Sequence, residues 1–176
     1  SDRDQNFLLT TNDGKYLFKI YNNHENLDTI KMQRSLLKFL IRNNFRYQIP
    51  KPFGNVGEIL KEDLVYYSSM FHFIDGEQLS NEKLGFENYR AMGIFLGNFS
   101  KTVSMFKHKN LSRHFEWDTR QIKYLKDKLK YIVDTQNRAL VSNFISKYYR
   151  AVEEVKPELR YSFIHNDANN QNILIH

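Results

Sequence analysis

One stretch of this 176-residue chain reads Ile164-His165-Asn166-Asp167-Ala168-Asn169-Asn170-Gln171-Asn172-Ile173-Leu174-Ile175. A His, an Asp two positions on and an Asn five further stand between two apolar runs. Groups of these types on one tight loop suit phosphoryl transfer. A carboxylate accepts the proton of an attacking hydroxyl, and an amide oxygen holds Mg2+. On this reading Asp167 is the catalytic base, Asn172 the metal ligand, and His165 a structural member of the loop. The alternative is an Asn-rich polar turn whose side chains bond their own backbone. The motif alone leaves both open.

A second candidate is Lys19, in the middle of Lys15-Tyr16-Leu17-Phe18-Lys19-Ile20-Tyr21. An ammonium in an apolar strand is costly unless it meets an anion, which a nucleotide phosphate would supply. A lysine snorkelling from an edge strand is the alternative. Its place, on the second strand of a hairpin and ahead of a helix, is that of the V-A-I-K lysine of kinases. Such a lysine pairs with a Glu on that helix, yet no Glu lies between Leu27 and Asn44. Gln33, on the helix's inner stripe, is placed to hydrogen-bond Lys19; a rim residue without a role is the alternative. Residues 1–6, Ser-Asp-Arg-Asp-Gln-Asn, contain no glycine, so a Gly-rich phosphate cradle is not visible. Ser1 and backbone N–H groups remain to cap phosphates there; a solvated chain start is the alternative.

The elements that would position these groups follow from periodicity. Residues 5–10 and 15–21 read as strands joined by Thr11-Asn12-Asp13-Gly14, a hairpin turn by its chemistry. A helix is expected over 26–43 with Leu27, Ile30, Leu37, Leu40 and Ile41 on its apolar stripe, then strands over 56–60 and 64–74. Helices follow over 84–107, 119–133 and 138–155. Short strands over 161–164 and 173–175 would flank the His-Asn-Asp loop as a hairpin. The class is α+β in two lobes: a nucleotide-binding lobe over 1–75, and a helical lobe from 76 to 176 that ends in the loop.

Composition narrows the chemistry. An apolar fraction of 41% and an aromatic fraction of 15% argue for a packed core rather than disorder. With no cysteine, disulfides, thiolate metal sites and a Cys nucleophile are excluded. The histidines show no paired ligand spacing, which counts against zinc. No signal peptide or spanning apolar run is visible, so the expected setting is the cytoplasm, with no membrane partner. The net charge of +6 suits an anionic partner. Lys and Arg are interspersed with Asp and Glu rather than grouped, which counts against nucleic acid and leaves a nucleotide triphosphate or a simply solvated surface.

The chain resembles the aminoglycoside phosphotransferase and choline kinase superfamily of small-molecule kinases. It is most similar to the branch holding hydroxylysine kinase and the phosphotransferase domains fused to aminotransferases. Four stretches carry the likeness in order: S-D-R-D-Q-N-F, Y-L-F-K-I-Y-N, F-E-W-D-T-R with Trp117 and Asp118, and F-I-H-N-D-A-N-N-Q-N-I-L-I. The resemblance implies a protein-kinase-like bilobal fold, with ATP between the lobes and its adenine against the backbone near Met70, Phe71 and His72. Lys19 would contact the phosphates, with Ser1 to Asp4, Ser1 and Arg3 among them, close by. Mg2+ and a small hydroxyl acceptor, amine-bearing by analogy, are implied with it. A further metal-binding Asp follows the loop in the family, and helices shaping the acceptor pocket come after it. The chain is therefore expected to be an N-terminal fragment truncated within its second lobe, with little turnover alone. The rival classes are a non-catalytic kinase-like binding module and a basic nucleic-acid-binding domain.

Overall fold

The protein was analysed as a computed structural model that describes residues 4–79, 85–111 and 117–175. Seven residues, Gln5–Thr11, form β1 and Gly14–Ile20 form β2. They pair antiparallel from Gln5 opposite Ile20 to Thr11 opposite Gly14. The turn is closed by Thr11, whose Oγ1 donates to Gly14 O at 3.1 Å and accepts from Asp13 N at 3.2 Å. Gly14 takes a φ of +137°, a region that side-chain-bearing residues avoid.

Helix α1 spans Leu27–Arg42, capped by Asn26, whose side chain accepts from Asp28 N at 2.7 Å. Two further strands, β3 (Pro52–Lys61) and β4 (Leu64–His72), complete an antiparallel sheet in the order β1-β2-β4-β3. β3 starts at Pro52, earlier than the expected 56, because it is an edge strand where a missing N–H is tolerated. Its register shifts between Phe53 and Gly57, and Gly54 there has φ +59°. The bulge swings the Phe53 and Gly54 carbonyls toward α1, where Arg34 Nη2 donates to them at 3.5 and 2.6 Å.

The α1 stripe differs from the expected one. Its buried residues are Thr29, Ile30, Met32, Arg34, Leu36 and Leu40, while Ile41 is exposed. The helix is packed on two sides, so its buried arc is wider than a single apolar stripe. Met32, Leu36 and Leu40 meet Phe99, Val103 and Phe106 in the principal apolar cluster, with Phe39, Phe45, Ile49 and Phe163 against its edge. Phe99 and Val103 lie on α2 (Phe86–Val103).

Two compact units emerge: residues 1–111 with 162–176, and residues 112–161. Within the second, α3 (Thr135–Val155) is capped by Asp134, whose carboxylate accepts from Asn137 N at 2.7 Å. Thr119–Tyr131, expected as α-helix, winds as a 3₁₀ helix with Gln121 at φ −97°, ψ 15°. Asp118 starts it, its backbone O accepting from Gln121 N at 2.8 Å.

A correction concerns the loop's flanks. Residues 161–165 have no regular structure, so the loop is not a β-hairpin. The strand that follows it, β6 (Leu174–Ile175), instead pairs antiparallel with β5 (Glu77–Gln78), just past β4. The apolar run before the loop packs instead by side chain, Phe163 setting its ring against Phe106 (6.3 Å between centroids).

Candidate active site

The loop is held at both ends by the first unit. Ahead of it, the His165 ring meets Phe99 of α2 edge-on at 6.2 Å. Behind it, Leu79 N donates to Ile173 O at 3.0 Å and Gln78 Nε2 to Gln171 O at 3.4 Å. Asn166 sits at φ +63°, a left-handed conformation that Asn tolerates better than most residues. That reversal turns the chain between the anchored His165 and the exposed Asp167.

Both oxygens of the Asp167 carboxylate are engaged by amides of its own loop. Asn169 Nδ2 donates to Oδ1 at 2.7 Å, and Asn172 Nδ2 donates to Oδ2 at 2.7 Å. Asn172 Nδ2 also donates to the Asp167 carbonyl at 2.9 Å. A carboxylate and a carbonyl only accept, so the amide nitrogen of Asn172 must point at them, and its oxygen is turned the other way. Asn169 is itself fixed, its Oδ1 accepting from Gln171 N at 2.9 Å. The outcome is an exposed carboxylate with a set orientation beside a neutral oxygen donor. Oxygen donors of this hard type are the kind Mg2+ takes. Among the described residues, no group of three His, Cys, Asp or Glu side chains could hold a metal ion.

Lys19 lies on an interior strand, not on an edge, so the snorkelling alternative does not apply to it. Its Nζ reaches Asp4 Oδ2 at 2.7 Å and lies 4.9 Å from the centre of the Tyr21 ring. Asp4 was not singled out in the sequence, although the hairpin register carries the signal. Continued one step past Gln5–Ile20, the pairing sets Asp4 opposite Tyr21, on the face that carries Lys19. The other oxygen, Asp4 Oδ1, accepts from Asn22 N at 3.1 Å and Asn22 Nδ2 at 3.2 Å. Burial alone would push this carboxyl up. The bond and charge of Lys19 and the two Asn22 donors together outweigh it and hold the group below its ordinary value.

Gln33 is half-buried on α1. Beside it, Arg34 is 5% exposed and lies 5.6 Å from the Phe71 ring, with Nη1 lacking a partner among the described residues. Burial holds the guanidinium below its ordinary pKa, against an opposing pull from Tyr21. Met70, Phe71 and His72 close β4. Phe71 is buried opposite Leu17, and the His72 ring lies tilted to Tyr16 at 5.3 Å and edge-on to Phe53 at 5.5 Å. The N–H groups of His72 and Phe73 are bonded to Lys51 O (2.9 Å) and Lys15 O (3.0 Å). Ser1 and Arg3 lie outside the described residues. Trp117 is exposed in the second unit, and Asp118 Oδ2 accepts from Gln121 Nε2 at 3.3 Å.

A family model described as the phosphotransferase enzyme family matches residues 1–176. No curated protein matches the chain. Solved structures do, each at 14% identity. An amicoumacin kinase in complex with AMP-PNP, Ca2+ and its ligand matches with a TM-score of 0.70, over 100% of this chain and 54% of its own. A spectinomycin phosphotransferase bound to ADP and spectinomycin gives 0.62, over 99% and 56%. A microcompartment-associated aminopropanol kinase gives 0.60, over 99% and 60%. The fold is α+β of the type these kinases share, and the chain spans a little over half the length of each.

Proposed function

The chain belongs to the phosphotransferase enzyme family, and on that premise we propose that it carries the nucleotide-binding and proton-accepting parts of an ATP-dependent small-molecule kinase. The observation that carries the reading is the pair of amide bonds fixing Asp167, with the Asn172 oxygen turned outward. In the proposed step, a hydroxyl oxygen of the acceptor forms a bond to the γ-phosphorus as the bond to the β-phosphate oxygen breaks. ADP leaves, and the hydroxyl proton passes to Asp167. Lys19 holds phosphate oxygens by charge. Bound Mg2+ would neutralise the phosphates, with Asn172 as its protein ligand and Asp167 beside it.

The acceptor we propose is a small amine-bearing alcohol, a metabolite or an antibiotic. Support comes from the substrates named for the matched kinases and from the positional likeness to the hydroxylysine kinase branch. Residues 1–75 serve as the nucleotide lobe, with Met70 to His72 lining the adenine site and the stretch from Ser1 to Asp4, Arg3 included, assigned to the phosphates by the resemblance; the helical lobe begins at 76. A cytoplasmic setting, where ATP is abundant, goes with this reading. Among the described residues no helix is long and apolar enough to cross a membrane.

The test is a titration with a fluorescent ATP analogue, with and without Mg2+, followed by phosphotransfer to a panel of amino alcohols by the natural protein carrying this sequence. Asp167→Asn should keep nucleotide affinity and lower turnover by roughly 10²–10⁴-fold. Asn172→Ala should remove the Mg2+-dependent part of the affinity. Equal turnover in wild type and Asp167→Asn would refute the assignment.

A further inference from the structure

We propose that Asp4 is the positioning residue of Lys19, so that the phosphate-binding lysine is held from the segment entering β1 and not from helix α1. The inference rests on the nucleotide reading above. It starts from a shortage: α1 (Leu27–Arg42) contains no Glu, and its buried charged member, Arg34, bears the same sign of charge as Lys19. A sheltered lysine ammonium needs an anion, and Asp4 supplies one at 2.7 Å. The pair is sheltered, with side-chain exposures of 28% for Lys19 and 15% for Asp4. Screening by solvent is therefore weaker than at an open surface.

Asp4 is suited to hold rather than merely touch. Its two oxygens divide the work: Oδ2 takes the ammonium, and Oδ1 takes both donors of Asn22. The carboxylate thereby ties the entrance of β1 to the exit of β2, with Lys19 in between. An ammonium has three N–H donors, and one bond to Asp4 leaves others for phosphate oxygens. Asp4 can stay in place while a nucleotide binds. Lysine geometry thus follows the seating of the residues just before β1, the region expected near the phosphates. A rotation of α1 that left the sheet intact would not release Lys19.

The test is a double-mutant cycle on Mg-ATP affinity in the full chain, using Lys19→Ala, Asp4→Asn and the combination, with thermal midpoints recorded for each. The expected result is that Asp4→Asn weakens binding by about tenfold in the wild-type background and has no further effect once Lys19 is alanine. If Asp4→Asn weakens binding equally in both backgrounds, or not at all, the positioning role is wrong while the nucleotide site stands. If Lys19→Ala itself changes nothing, or the wild type does not bind Mg-ATP, the nucleotide reading fails and this inference with it. Should Asp4→Asn be too unstable to titrate, Asp4→Glu makes the same comparison by moving the charge one methylene.

Discussion

The Asp4 carboxylate is the group whose chemistry depends most on its neighbours, and it makes a signed prediction. Folded, it releases its proton at a lower pH than in the unfolded chain, whose ordinary value is 3.8. Between those two pH values the unfolded state holds more protons, so stability there rises with pH. The contribution is complete above the ordinary carboxylate range and is lost as pH falls through the folded value. The melting-temperature gap between wild type and Asp4→Asn should be largest near neutrality and close on acidification below about pH 4; a gap that widens in acid would contradict the pairing. At this scale the sequence was partly legible. Asp167 and Asn172 stand out because one loop must hold both, so their spacing is written in consecutive residues. The Lys19 partner was not legible from the helix pattern, because it comes from the far end of a hairpin, where only the strand register reveals it.

Elements were legible where periodicity met a clear partner. The β1–β2 hairpin, α1 and α2 arose where alternation and three-to-four spacing placed them. The expected strand over 161–164 did not form, because an apolar run specifies burial and not the geometry of burial. Here an aromatic cluster took Phe163. The same cluster sets the contact between α1 and α2, with Leu40 1% exposed at its centre. Leu40→Ala should destabilise the protein by roughly 2–5 kcal/mol, read from the denaturant midpoint at unchanged m-value. Because Phe99 lies in that cluster and also contacts His165, the mutation should also loosen the loop.

At the scale of the whole molecule, the fold class was legible from the order of elements and the division into compact units was not. The second unit, residues 112–161, interrupts the first between α2 and the loop. Helical spacing reports how a helix buries its face but not which unit receives it. One consequence concerns folding. The bond from Leu79 N to Ile173 O joins residues far apart in the chain, so it can form only once a long segment has been closed into a loop. Closing so long a loop is entropically costly, and contacts of this kind form late. The Leu79 amide should therefore exchange with solvent only on global unfolding, with protection matching the sheet interior although it lies outside any long strand. Fast exchange there, with the sheet protected, would contradict this. The tie makes the catalytic-type loop the last part of the first unit to assemble, so a chain stalled on the way to the native state carries its sheet and lysine without a seated Asp167.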